Sequence, residues 1–159
     1  MDILSLKHAS YRIKGKQATI TVLADGSLTV EDRTGESSYT IHGPGEYEVK
    51  GVGVIGVSRE GSTIYRCEID GVSFVYTGNI TKPLATTDIE NLDGVDILIT
   101  PLSSVVSEIE PSVVIPMLEE KEALIGFLKE LGKEDVIPQP KFSITRDKIP
   151  EQMQVIVLE

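Results

Sequence analysis

The 159-residue sequence predicts an α+β fold in which two packed β-sheets carry sparse helical cover. Three observations lead there. From Ile3 to Tyr76, short runs rich in β-branched residues follow one another with only turn residues between them. From Ile97 onward, two apolar runs alternate with short helical patterns. Only Glu119 to Leu131 carries a strong helical period.

Ile3–Leu6, Ser10–Lys14, Ala18–Leu23, Leu28–Glu31 and Ser37–Ile41 are the first strands, parted by Gly15-Lys16, Asp25-Gly26 and Thr34-Gly35. Connections this short allow only antiparallel neighbours. After Gly43-Pro44-Gly45 come Glu46–Val49, Val52–Ser58, Thr63–Ile69 and Val72–Tyr76. Period-two alternation puts Tyr65, Cys67 and Ile69 on one face of the third of these and Arg66 and Glu68 on the other, so Cys67 is expected to be buried and inert.

Thr86–Leu92 suits a short helix, with Thr86 or Thr87 as N-cap and Glu90 beyond it. Ile97–Pro101 and Val113–Pro116 have the continuous apolar character of strands covered on both faces, and Ser103–Glu110 has room for two helical turns. In Glu119–Leu131, Ala123, Leu124, Phe127, Leu128 and Leu131 share one face, Glu119 and Glu120 favour the positive end of the dipole, and Gly132 ends the helix. Asp135–Pro138, Lys141–Thr145 and Met153–Leu158 are expected as closing strands. No repeat or linker divides the chain, so residues 1–159 are expected to form a single domain.

Composition narrows the function classes. Twenty-five acids against fifteen bases give a formal charge of −10 with no cluster of Lys and Arg, and there is no Trp. Nucleic acid is therefore not an expected partner, since phosphate binding relies on local positive charge and base binding on aromatic platforms. No apolar window approaches a membrane span, and Met1–Tyr11 lacks the pattern of a secretory leader, so no membrane association and a cytoplasmic location are expected. A single cysteine excludes an intrachain disulfide, and a cytoplasmic protein would not use Asn79-Ile80-Thr81 for glycosylation.

Asn79 stands at the C-terminal tip of the strand ending in Tyr76-Thr77-Gly78, where open α/β sheets place their chemistry. A carboxylate there could bind a divalent ion, whereas a neutral amide is a poor ligand for one. Gly51-Val52-Gly53-Val54-Ile55-Gly56 satisfies G-x-G-x-x-G but leads into another turn and strand, not into a helix, so it is a close-packed strand relieved by glycine. Ser103, Ser104 and Ser107 have no nearby histidine or nucleophile elbow and are assigned to helix capping; Asp93 and Asp96 are assigned to loop solvation.

The order of elements resembles the metallo-β-lactamase fold, and in particular its small single-domain branch of predicted metal-dependent hydrolases. The matching pieces are Leu6-Lys7-His8-Ala9-Ser10-Tyr11, Gly43-Pro44-Gly45-Glu46-Tyr47-Glu48-Val49, Thr63 to Gly78, Asp93 to Pro101 and Glu110 to Met117, continuing into the tail. The resemblance implies a β-sandwich of two packed mixed sheets with sparse outer helices, a reduced αββα arrangement. It also implies, in working hydrolases, an H-x-H-x-D-H loop, an Asp in a Gly-Asp pair and a His after Pro-Met, which together hold zinc or iron and activate water.

This chain departs from that pattern at each point. No H-x-H-x-D-H lies between Ala24 and Ile41, the Gly-Asp position reads Gly78-Asn79, and Leu118 follows Pro116-Met117. A catalytic zinc usually takes three protein ligands, and His8, His42 and Cys67, the only imidazoles and thiol, lack metal-site spacing. His8 matches a family position that is not a metal ligand. The expectation is a degenerate member with no catalytic residues, no metal and no cofactor, whose remnant cleft comprises His8, Asp25, Thr77, Gly78, Asn79, Thr100 and Leu118. A binding or assembly role is expected, with like subunits or another protein as partner and any small-molecule ligand unidentified. The alternative is a hydrolase with an atypical site, either metal-dependent or metal-free and using Asn79, Thr77 and His8.

Overall fold

The computed structural model describes residues 1–159. Its strands are β1 (Asp2–Lys7), β2 (Ser10–Lys14), β3 (Ala18–Val22), β4 (Leu28–Asp32), β5 (Ser38–Ile41), β6 (Gly45–Val49), β7 (Val52–Arg59), β8 (Ser62–Ile69), β9 (Val72–Tyr76), β10 (Ile97–Thr100), β11 (Val113–Pro116), β12 (Phe142–Ser143) and β13 (Gln154–Val155). The helices are α1 (Thr86–Asn91), α2 (Ser104–Ile109) and α3 (Lys121–Glu130). No helix is long and apolar enough to cross a membrane.

The first sheet runs β12-β1-β2-β3-β4-β5 and is antiparallel throughout. The second runs β13-β11-β10-β9-β8-β7-β6; it is antiparallel from β6 to β9 and parallel from β9 to β13. Alternation divides the second sheet's side chains between two cores. Tyr65, Cys67, Phe74, Tyr76, Ile97 and Ile99 face the first sheet, while Ile64, Val75, Leu98 and Val114 lie under the helices. All three helices contribute to the second core, through Ile89, Val105, Val106, Phe127 and Leu128 among others. The architecture is thus the expected sandwich with sparse helical cover, with its helices on one side only.

The first sheet's outer face stays uncovered because its composition suits water. Across that face run Arg12, Thr21, Thr29 and Thr40 in register, and the hydroxyls of Thr29 and Thr40 meet at 3.0 Å.

Local signals explain most boundaries. The Glu120 carboxylate caps α3, accepting from the N–H groups of Glu122 at 3.0 Å and Ala123 at 2.9 Å. At its other end Gly132 adopts φ +66° while the Lys133 N–H reaches the Leu128 carbonyl at 2.9 Å and the Gly132 N–H the Lys129 carbonyl at 3.1 Å. Gly56 answers to a close crossing of chains. A Cβ there would lie 2.9 Å from the Gly43 carbonyl oxygen and 3.1 Å from the Pro44 Cα.

Several expectations need correction. Helix α1 begins at Thr86 as expected and ends at Asn91, one residue short; its N-cap is Ala85, so Thr86 and Thr87 lie inside the first turn and cap nothing, and the Asp88 carboxylate accepts the Ala85 N–H at 2.9 Å. Ser103 makes no cap bond, its hydroxyl donating to the Glu130 carboxylate on α3. Ala123 is exposed, so the buried stripe of α3 begins at Leu124. Asp135–Pro138 forms no strand; only Gln139 pairs, through an isolated parallel bridge to Leu158, because Pro138 and Pro140 flank it without donors. Asp96 does not serve loop solvation. Its half-buried carboxylate accepts from the Ser73 N–H at 2.9 Å and from Arg146 at 3.1 Å, tying β9 to the C-terminal segment.

Two stability predictions follow from these contacts. Gly56→Ala should lower the unfolding free energy measured by urea titration by about 1–3 kcal/mol, since the backbone cannot yield, whereas Gly53→Ala, whose Cβ would meet only Glu48 at 3.6 Å, should stay within about 0.5 kcal/mol. Asp96→Ala, which strands a backbone donor, should cost about 1–3 kcal/mol in the same assay. Arg146→Ala, at an exposed guanidinium, should cost less than about 1 kcal/mol.

Candidate functional site

The three parallel strands β9, β10 and β11 end together. Tyr76 lies beside Ile99, and Thr100 beside Pro116, so the residues after each strand gather at one edge of the sandwich. The Thr77 N–H donates to the Ile99 carbonyl at 3.1 Å, and the Met117 N–H to the Thr100 carbonyl at 2.9 Å, extending the ladder past the strand ends.

A cleft of about 790 Å³ opens above these tips. Asn79 lines it from β9, and Pro116, Met117 and Leu118 from β11. Glu119, Glu120 and Leu124 line it at the start of α3, and Val157, Leu158 and Glu159 from the C-terminal segment. The facing wall is the β1–β2 turn, where Lys7, His8 and Ala9 all take left-handed φ values of 69°, 52° and 56°. That conformation costs a side-chain-bearing residue roughly 1–2 kcal/mol. Hydrogen bonds hold it: the Tyr76 hydroxyl donates to the Ala9 carbonyl at 2.7 Å, the Ser10 hydroxyl to the His8 carbonyl at 3.3 Å, and the His8 N–H to the Glu119 carboxylate. The His8 ring also lies 3.7 Å from that carboxylate.

The loop leaving Asn79 is fixed from the other side by the β7–β8 hairpin. The Glu60 carboxylate accepts the Thr81 N–H at 2.9 Å and its hydroxyl at 2.8 Å, and Arg59 donates to the Pro83 carbonyl while lying 3.7 Å from Asp88. Asn79 is thus held at a defined place on the rim.

Of the seven expected cleft residues, His8, Asn79 and Leu118 line this cleft. Thr77, Gly78 and Thr100 lie beneath it. Both threonines are wholly buried, the Thr77 hydroxyl donating to the Thr100 hydroxyl at 3.0 Å, and Gly78 turns the chain at φ +66°. Asp25 lies in a neighbouring hollow of about 220 Å³ with His42 and Ser62, and its carboxylate accepts the Ser27 hydroxyl at 2.7 Å and N–H at 2.9 Å. These bonds, with a smaller contribution from His42, hold the Asp25 carboxyl below the usual range.

Lys7, Tyr11, Met117 and Glu119 were not among the expected residues. Glu119, expected at the helix start, points instead to His8. Met117 and Glu119 were within reach of sequence reasoning as neighbours of Leu118. The Val157–Glu159 wall was not, because it depends on the long-range bridge to Gln139.

Chemically the cleft is neutral at its floor. Tyr11 and Tyr76 meet edge to face, with ring centroids 6.3 Å apart. Burial pushes both phenols up, Tyr76 to about 12 with help from the Asp25 charge, and Tyr11 further with help from Tyr76 and Glu119, so neither can act as a base near neutrality. Nowhere in the molecule do three or more His, Cys, Asp or Glu side chains converge as metal ligands. His8 is paired with Glu119 on the rim, and Cys67 lies in the core between the sheets, its thiol pushed up by burial. The residues present do not fit a catalytic zinc or iron centre.

The sequence model of the β-lactamase superfamily domain matches residues 25–118. No curated protein sequence matches the chain. Among solved structures, the chain is similar to a candidate Zn-dependent hydrolase of the metallo-β-lactamase superfamily from Thermotoga maritima, with a TM-score of 0.81 at 18% identity, covering 99% of this chain and 98% of that one. It also matches a candidate metal-dependent hydrolase from Parabacteroides distasonis, with a TM-score of 0.46 at 12% identity over 77% of this chain and 94% of that one. The first likeness shows a shared fold along the whole length. The domain match spans more than half of the sequence, from Asp25 after β3 to Leu118 at the cleft, and the chain therefore belongs to the β-lactamase superfamily domain family.

Proposed function

We propose that this chain is a non-catalytic, metal-free member of its family with a binding or assembly role. One observation carries the proposal. The strand tips that resemblance assigns to an aspartate and a histidine ligand carry Asn79 and Leu118 on the cleft wall, and no three His, Cys, Asp or Glu side chains converge there. A neutral amide and an isobutyl group cannot balance a divalent cation.

Metal-free hydrolysis lacks support as well. A hydroxyl nucleophile needs an adjacent base, but the Thr77 hydroxyl is buried and donates to Thr100, while the His8 ring has Glu119 for company. The rival is a metal-dependent hydrolase with an atypical site. It draws on the open cleft and on the likeness to the Thermotoga maritima protein, a candidate Zn-dependent hydrolase.

Metal analysis of the purified protein, before and after chelation, separates the two. The expected result is no stoichiometric zinc, iron or manganese, and no turnover on a hydrolase panel with or without added metal. Bound metal that survives chelation, or turnover that Asn79→Ala abolishes, would overturn the proposal. The assembly half predicts a discrete oligomer in light scattering. A strict monomer across the accessible concentration range removes like subunits as the partner and leaves another protein.

A further inference from the structure

The two sheets end in four free edges, and they differ in what they offer. β12 and β13 are two residues long and β5 is four; β6 is five residues long and is the outermost strand of the second sheet. An edge strand presents unpaired N–H and C=O groups along its open side, so a longer edge offers more of a ladder to an added strand.

Beside β6 the outer face of its sheet is bare, because the helix-side core reaches only as far as Ile64 of β8 and Val57 of β7. Cross-strand register sets Glu46, Ile55 and Arg66 in one row there, and Glu48, Gly53 and Glu68 in the next. Gly53 has no side chain, and a hollow of about 420 Å³ lies over it, bordered also by Asp70. Arg66 is already engaged, donating to the Asp93 and Gly94 carbonyls and lying 3.9 Å from Glu68. Glu46 and Glu48 are exposed and belong to none of the molecule's ion pairs.

The other face of β6 is different. Tyr47 and Val49 are half-buried against the core between the sheets, and Tyr39, on the inner face of the adjoining β5 opposite Val30, is 51% exposed. A strand added to β6 would meet carboxylates on one face and apolar surface on the other.

We infer that the Gly45–Val49 edge is a strand-addition site for an extended basic segment of a partner protein, with Lys or Arg at alternate positions facing Glu46 and Glu48 and apolar residues between them facing Tyr47 and Val49. A second copy of this edge is disfavoured in the register that pairs all five residues. Antiparallel pairing of two β6 strands about Tyr47 sets Glu46 against Glu48, and like charges directly opposite destabilise a sheet. A basic strand reverses the sign of that interaction and gains the main-chain ladder. The inference rests on the proposed binding role and gives it a surface and a partner chemistry.

The test uses the full chain and a seven-residue peptide alternating lysine and valine, with a control of the same composition whose lysines form one block. Binding is followed by fluorescence anisotropy, and its location by amide chemical shifts. The alternating peptide should bind roughly tenfold more tightly than the block peptide and should shift the amides of residues 45–49. The double variant Glu46→Gln/Glu48→Gln, which keeps side-chain size, should weaken binding by a similar factor while leaving the circular dichroism spectrum unchanged. Equal binding of the two peptides, indifference to the double variant, or shifts centred elsewhere would mean general attraction to an acidic protein and would overturn the inference. Those results leave the non-catalytic proposal standing or falling on metal content and turnover.

Discussion

Burial of β9 on both faces is the constraint on which the rest of the molecule depends. Every residue from Val72 to Tyr76 is buried, so the strand needs cover on each side. Val72, Phe74 and Tyr76 are covered by the antiparallel first sheet, which the first five strands build almost entirely from hairpins. Val75 is covered by the helices that link β9 to β10, β10 to β11 and β11 to the C-terminal segment. Because those connections return on one face and the strand order moves in one direction, the C-terminal tips of β9, β10 and β11 are collected side by side. The cleft follows from how β9 is buried.

The same strand sets the far wall of the cleft. Tyr76 belongs to the core, yet its hydroxyl reaches the Ala9 carbonyl and holds a turn of three left-handed residues that carry side chains. A phenol kept neutral by burial is suited to this, because it donates reliably where an ionised group would not. The turn in turn presents the His8 N–H to Glu119, which joins the first sheet to the start of α3. Strain at the β1–β2 turn is thus offset by bonds from the second sheet and from the helix layer.

Much of this was legible in the sequence, and what was missed has a common cause. Period-two alternation places Tyr65, Cys67 and Ile69 in the core, and of the glycines of Gly51–Gly56 only Gly56 is close-packed, against Gly43 and Pro44, while Gly51 turns the chain before β7 and Gly53 lies under an open hollow. Gly132 ended α3 as its chemistry requires. Short-range patterns carry such information because the partner lies within a turn or a strand. Asp96 reads as a loop residue in the sequence because its partners, Ser73 and Arg146, lie 23 and 50 residues away. The cleft was legible in the same proportion: Asn79 and Leu118 sit at strand ends that the sequence marks, whereas Glu119's turn toward His8 and the Val157–Glu159 wall depend on contacts of high sequence separation.

The electrostatic character of the cleft supports the proposed loss of metal from another direction. A divalent cation allows several carboxylates and imidazoles to converge, because it supplies the charge that would otherwise be missing. Without the cation, converging carboxylates repel one another and lose hydration, a cost of several kcal/mol for each buried ion. A cleft that binds no metal should therefore give each remaining charge its own internal partner. The carboxylates nearest the strand tips follow it: Asn79 and Leu118 are uncharged, the phenols of Tyr11 and Tyr76 stay protonated, Glu119 accepts the His8 N–H, and the Glu120 carboxylate is spent on the N–H groups of α3, whereas Lys7 and Glu159 on the rim are exposed to water. Glu46 and Glu48, like most of the molecule's carboxylates, belong to no ion pair; on β6, at the open edge of the same sheet, water hydrates them and the proposed cationic segment would take its place.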